Sequence, residues 1–341
     1  GKGLANLQLN HFDTQDGMFS VLLDGEMMQL RASAIPIRNH RAGAFQKLVL
    51  RLLGGGVRAT RLNDLKLEAR DHGVLLRASQ QKQGLVLVTG PTGSGKTTTL
   101  YACLAEINRP TLNIQTIEEP IEIELEGVNQ TAVDRARGVD FARIMRSVLR
   151  QDPDVILLGE MRDRESALIA AEAAMTGHLV FSTLHTNTAL ESVRRLRQFN
   201  VPIQQIESSL LLLQAQRLVK VLCENCKHPV KVSDDVRALF HDEDVELGDV
   251  LYRPQGCAAC DGAGVSGRRA VMELVPIDPD LRDAIATELP ESQLRKLASQ
   301  RGGRTLFQAA LSLAGRGVIP LEEAQFLATN WTRDLHLFPS D

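Results

Sequence analysis

The stretch "GPTGSGKTTTLYACL", Gly90–Leu104, decides the fold. From Gly90 to Thr97 it matches G-x-x-x-x-G-K-[ST], and it lies between the apolar "LVLVT", Leu85–Thr89, and a helix-forming run. The order is strand, loop, helix. Glycines let the main chain curl so that successive N–H groups face inward, and the helix that follows adds the positive end of its dipole. Gly90, Pro91, Thr92, Gly93, Ser94, Gly95, Lys96, Thr97 and Thr98 are therefore expected to cradle a triphosphate. Lys96 would meet the β- and γ-phosphates, and Thr97 would hold Mg²⁺.

Working outward, short apolar runs alternate with helical patterns, which predicts βαβ units around a parallel sheet. "DVILLGE", Asp154–Glu160, and "LVFSTLH", Leu179–His185, read as further strands. Between them, Phe141, Ile144, Met145, Val148 and Leu149 form an apolar helix stripe. "DRESALIAAEAAMTG" predicts a helix capped by Asp163 and stopped at Gly177. "IESSLLLLQAQRLVKVL", Ile206–Leu222, reads as a long packed helix. Towards the N-terminus, "FSVLLDGEMMQL" reads as two short strands joined at Asp24-Gly25, and Gly54–Gly56 marks a break. A helix is expected after "LNDLKL", and the polar "SQQKQG" suggests a domain boundary. The expected domains are an N-terminal domain at 1–80, a linker at 81–84 and a main domain at 85–341. The last would include a cysteine-bearing subdomain at 223–260 and a helical region at 278–341.

A phosphate loop hydrolyses nothing unless acidic groups hold the metal and orient water. Glu118, Glu119 and Glu122 follow the strand-like "LNIQTI", and Glu160 ends another apolar run. Such carboxylates stand where open parallel sheets place ligands, beyond the C-terminal strand ends. Asp154, at the opposite end of its strand, is expected to be structural. His178 and His185 flank a strand without metal-ligand spacing, and His185, at the strand's end, is the better placed to sense a phosphate. "CENC", Cys223–Cys226, and "CAAC", Cys257–Cys260, supply two CxxC pairs suited to one structural Zn²⁺ held by four thiolates. Cys103 is expected to be a small core residue.

With 39 basic and 42 acidic residues the formal charge is -3, which gives no global pull towards nucleic acid or anionic membrane. The sequence contains no apolar run long enough to span a bilayer and no secretory signal, so a cytosolic location is expected.

"GPTGSGKTTTLY", "IEEPIE", "RQDPDVILLGEMRDRESA" and "TGHLVFSTLHTNTA", in this order, resemble the type II secretion and type IV pilus assembly ATPase family. The likeness extends to "QDGMFSVLLDGEMMQLRASAIP", "LVLRLL", "GRRAVMELVPI" and "VIPLEEAQFLA". It implies an α/β fold: a RecA-like P-loop NTPase core, a smaller N-terminal α/β domain and a zinc-binding tetracysteine insertion. It also implies a homo-hexamer that binds ATP between domains and subunits. "GPTGSGKT" corresponds to the Walker A loop and "IEEPIE", with Glu119, to the acidic block. Glu160 corresponds to the Walker B glutamate that orients or deprotonates water, and His185 to the contact near the γ-phosphate. Family arginines that reach the phosphates match Arg31 and Arg51, whose forked donors suit phosphoryl charge. "IRNHRAGAFQK" between them is longer than the family spacing, which leaves Arg38 and Arg41 as alternatives. Met18 stands where the family commonly has arginine, and Glu119 where it has aspartate. No counterpart of the family's N-terminal docking domain is included. The tetracysteine block is similar to that of export and extension members, which retraction members lack.

The resemblance implies an ATP-driven motor, cytoplasmic and peripheral to the bacterial inner membrane. It would act on an inner-membrane platform protein to assemble pilin-like subunits, with no direct nucleic-acid partner. Two other readings stand beside it. A nucleic-acid motor is opposed by the charge balance and the scarcity of aromatics, and a non-hydrolysing nucleotide-binding scaffold by the intact Lys96, Thr97, Glu119 and Glu160.

Overall fold

The computed structural model describes residues 13–23, 26–39, 43–53, 61–134 and 139–328. The chain forms two compact units: Gly1–Ala59 with Pro120–Leu125, and Thr60–Glu119 with Glu126–Asp341.

In the first unit, β1 (Gln15–Leu23), β2 (Glu26–Asn39) and β3 (Gly43–Leu53) form an antiparallel sheet in that order. The two expected strands are present and longer than their apolar letters suggested. The Asp24-Gly25 turn, the Gly54–Gly56 break and Arg41 lie outside the described residues. Directly opposed residues share a sheet face, which places Arg31 beside both Met18 and Arg51. Ala32 and Ala34 are fully buried, with Phe19 packed on them.

The second unit is built on a seven-stranded sheet. Its strands are β4 (Gly84–Thr89), β5 (Ile114–Glu118), β6 (Asn129–Ala132), β7 (Val155–Leu158), β8 (Leu179–Leu184), β9 (Leu210–Leu222) and β12 (Val265–Pro276), in the order β12-β9-β4-β8-β7-β5-β6. Every pairing is parallel except β9 with β12. β4, β5, β7 and β8 are buried along their whole length, as strands covered on both faces must be. The intervening helices are α1 (Ala69–Ser79), α2 (Lys96–Ile107), α3 (Phe141–Val148), α4 (Arg164–Met175), α5 (Glu191–Gln198) and α6 (Ile203–Ser209). α3 buries Phe141, Ile144, Met145 and Val148, the stripe read from sequence, and Leu149 follows as its cap. Asp163 caps α4 by accepting the Ser166 N–H, and Gly177 takes the left-handed turn just past its end.

One expectation is overturned. Within Ile206–Leu222 only the first residues finish a helix, and Leu210–Leu222 is strand β9. A solid apolar run serves a buried helix or a buried strand equally well. Here Leu212, Leu213, Gln214, Ala215 and Gln216 are all buried in succession, because β9 lies inside the sheet between β4 and β12.

Helix α1 packs against α2 and β12, so residues 61–80 fold with the second unit. Between β9 and β12 are β10 (His228–Lys231), α7 (Asp234–Asp242) and β11 (Val250–Arg253), with the four cysteines at the two junctions. α8 (Pro279–Ala286), α9 (Glu291–Gln300), α10 (Leu306–Gly315) and α11 (Leu321–Gln325) complete the described chain.

Candidate functional site

Parallel strands carry their C-terminal ends to one edge, and the sequence-derived residues of the second unit meet there. Thr89 is level with Leu184, Leu158 with Ser182, and Ile117 with Leu158. The loops that begin at Gly90, His185, Gly159 and Glu119 therefore leave the sheet side by side.

The loop from Gly90 to Gly95 runs directly into α2, whose N-cap is Gly95 in the left-handed conformation. A side chain at Gly90 would strike Gln216 O at 2.5 Å and Ser94 Oγ at 2.7 Å, so the cradle admits only glycine there. Lys96 Nζ donates to Gly90 O (2.8 Å) and Pro91 O (3.1 Å), which holds the ammonium over the loop. Gln216, buried on β9, braces the loop from behind: its Nε2 donates to Ser94 O (2.8 Å) and its Oε1 accepts from Thr99 Oγ1 (2.9 Å). Sequence reading missed this brace, since it placed Gln216 on a helix.

Glu160 lies just past β7 and Glu119 just past β5. Arg162 joins them, with Nε on Glu160 Oε2 and Nη1 on Glu119 Oε2, both at 2.7 Å. His185 Nε2 lies 3.1 Å from Glu160 Oε1. A carboxylate pair, an imidazole and a guanidinium thus converge beside the phosphate loop. Arg162 was not singled out from sequence, although "GEMRD" places it two residues beyond Glu160. Gly90, Pro91, His185, Thr186 and Asn187, with Arg194 of α5, line an open cavity of about 250 Å³.

The neighbouring candidates have other duties. Glu118 is buried and accepts from Tyr101 OH, from Thr116 Oγ1 (2.5 Å) and from Gln130 Nε2 (3.1 Å), so it ties β5 to α2 and β6. Glu122 falls in the segment that groups with the first unit. Asp154 accepts the Asn113 N–H (2.7 Å) at the far end of β7. His178 Nδ1 meets Ala173 O (3.0 Å) at the end of α4. Cys103 is fully buried, which pushes its thiol up to about 12. Arg31 and Arg51 are exposed neighbours on one face of the first sheet, with Asp16 Oδ1 4.0 Å from Arg31 Nη2.

The four cysteine sulfurs all lie within 4.8 Å of one another and can hold a metal ion. Cys223–Cys257, Cys226–Cys260 and Cys257–Cys260 are 3.9, 3.8 and 3.7 Å apart, far beyond disulfide bonding. Burial and the neighbouring thiols push Cys226 up to about 11. Burial also raises Cys260, but the N–H groups of Cys257 and Gly264 outweigh it and leave that thiol lowered to about 7. Among the described residues, no helix is long and apolar enough to cross a membrane.

Comparison with known proteins agrees with this geometry. The chain is 43% identical over 282 residues to the type II secretion system ATPase E of Vibrio cholerae, covering 83% of this chain and 55% of that protein. It is 40% identical over 279 residues to the type IV pilus assembly ATPase PilB of Thermus thermophilus, covering 82% and 31%. The chain thus spans about half the length of the first of these relatives and about a third of the second. The crystal structure of the pilus retraction motor PilT with bound ADP superposes with a TM-score of 0.67 at 29% identity, covering 93% of this chain and 78% of that one. The Legionella pneumophila ATPase DotB, at 24% identity and a TM-score of 0.68, shares the fold and covers 93% and 77%. The family described as type II/IV secretion system protein matches residues 11–326, from the first sheet through the phosphate loop and the cysteine cluster to α11. By that match the chain belongs to the type II/IV secretion system protein family.

Proposed function

We propose that this chain is the motor portion of an ATPase that powers assembly of type IV pilus or type II secretion pseudopilus subunits. The observation that carries the reading is the convergence of a glycine-only phosphate cradle with Glu160, Glu119 and His185 at one sheet edge. The names of the relatives point to the same systems. In this reading Gly90 to Gly95, with Lys96, Thr97 and Thr98, grip the phosphates of ATP. Mg²⁺, when bound, would supply positive charge against the phosphates. The Thr97 hydroxyl and the Glu119 carboxylate are the residues suited to hold it. Glu160 orients the attacking water and takes its proton, while His185 Nε2, 3.1 Å from Glu160, contacts the γ-phosphate. Arg162 must release the two carboxylates before both can serve, and an exposed guanidinium can do so at small cost.

Arg31 and Arg51 are the proposed phosphate-reaching arginines, supplied by the N-terminal domain. The same proposal places that domain's functional limit at 80, with 81–84 as a linker. The cysteine cluster would hold a structural Zn²⁺. Tetrahedral thiolates with Zn–S near 2.3 Å require sulfurs about 3.8 Å apart, in line with the spacing found. The full assembly would be a homo-hexamer on the cytoplasmic side of the inner membrane, acting on an inner-membrane platform protein.

The decisive experiment measures Mg-dependent phosphate release by the wild type and by Glu160→Gln. Turnover should fall by about 10² to 10⁴ while ATP affinity persists. Equal rates would remove Glu160 from its role, and a wild type without turnover would defeat the ATPase reading.

A further inference from the structure

The turn from His185 to Ala189 carries the imidazole that meets Glu160, and its main chain is held from several sides. Thr186 N–H donates to Thr89 Oγ1 at the end of β4 (2.7 Å). Asn187 N–H donates to Glu191 Oε2 (2.8 Å), and Arg217 Nη2, from β9, donates to Asn187 O (3.1 Å). Thr186 Oγ1 donates to Thr188 O (3.0 Å). A further holder is Glu273 on β12, whose Oε2 accepts the Ala189 N–H (3.3 Å).

Glu273 is only 3% exposed and lies opposite Ala215 in the β9–β12 register. Burying a carboxylate is costly unless it is paired and hydrogen-bonded, and an apolar side chain of similar size would fill the same space. What the carboxylate adds is a grip on one N–H at the end of the His185 turn. We propose that Glu273 is a positioning residue: by holding the Ala189 N–H it fixes the His185–Ala189 turn, and through that turn the placement of His185 against Glu160. The inference rests on the function proposed above for its kinetic consequence, but not for its structural one.

The charge state of Glu273 should decide how firmly it grips. Burial lifts its carboxyl to about 7, against the Ala189 N–H and Arg295, which pull it down, while Glu291 and Glu191 push it further up. Arg295 and Glu291 face it from α9, Glu191 from α5 and Arg217 from β9. A charged acceptor makes a bond about twice as strong as a neutral one. The turn is therefore held above neutrality and loosened below it.

Hydrogen exchange of the segment 185–190 in wild type, Glu273→Leu and Glu273→Gln tests this without any assumption about turnover. At pH 8, Glu273→Leu should exchange there at least about tenfold faster, with the phosphate loop unaffected. If that variant does not fold, Glu273→Gln carries the test. After correction for intrinsic rates, wild type should lose protection in the segment between pH 8 and pH 6, and Glu273→Gln should not. In the ATPase assay, Glu273→Leu should lower kcat by about tenfold or more with KM changed less than about threefold. Glu273→Gln should remove the part of the kcat pH profile between 6 and 8 that the Glu273 carboxyl contributes in wild type. Exchange unaltered by Glu273→Gln at both pH values overturns the proposal. A protein that shows the exchange difference but hydrolyses no ATP would support the brace and refute the function.

Discussion

The phosphate-loop edge and the cysteine cluster both gather reactive groups at strand ends of one sheet, but they arrange them oppositely. At the edge, His185 and the phosphate loop at Gly90 and Pro91 line an open cavity, Glu160 and Glu119 stand beside His185, and the loop is fixed from behind by the buried Gln216. In the cluster the four sulfurs face one another. The first arrangement holds its side chains by contacts that an incoming ligand can exchange. The second would spend its ligands on one ion and leave no position for a substrate.

That contrast predicts different failures. Removing a thiol should have the largest effect: Cys226→Ala is expected to weaken zinc binding by more than about 100-fold, beyond what a supporting residue costs. Metal content and hydrogen exchange over 223–260 measure it. Binding should release protons and tighten as pH rises, because Cys226 lies up at about 11 without metal. A cluster that stays folded and metal-free after chelation would break the comparison.

Glu273 comes next. Its carboxyl is lifted from the ordinary 4.5 to about 7, so between those values the folded protein keeps a proton that the unfolded chain has lost. Stability therefore falls as pH rises through that window, by roughly 3 kcal/mol for this group. Glu273→Gln should melt several degrees above wild type at pH 8, with the gap narrowing towards pH 4. Gln216→Leu should follow, since it orphans Ser94 O and Thr99 Oγ1 at about 1 to 3 kcal/mol each. ATP affinity by calorimetry should drop by about tenfold or more. The smallest effect on stability is expected from Arg162→Ala. Its side chain is 44% exposed, and the loss should stay within about 1 kcal/mol in thermal melts. A larger loss would mean that the bridge between Glu119 and Glu160 is part of the fold.

What the sequence made legible follows from how each feature is encoded. The phosphate loop, Glu160, His185 and the CxxC pairs are contiguous motifs, and a strand followed by a glycine-rich turn has few other interpretations. The supporting residues are encoded by distance. Gln216 reaches Ser94 from 122 residues away, Glu273 reaches Ala189 from 84, and neither carries a local signature. The error over Leu210–Leu222 hid Gln216 and Arg217 together, because apolar letters alone cannot tell a strand sandwiched inside a sheet from a buried helix. α3, by contrast, was readable because only one of its faces is apolar.

β9 and β12 have one further consequence. Near the middle of this pair are Gln216, Arg217 and Glu273, and at its tip Leu222 pairs with Val265, next to Cys223. At strand rise the interval from Gln216 to Cys223 is roughly 23 Å, bridged by β9, whose pairing with β12 shifts register between Val265 and Arg268. A force applied at the thiolate knot would arrive at the nucleotide cradle as displacement of a stiff ribbon, much as a key's bow turns its blade.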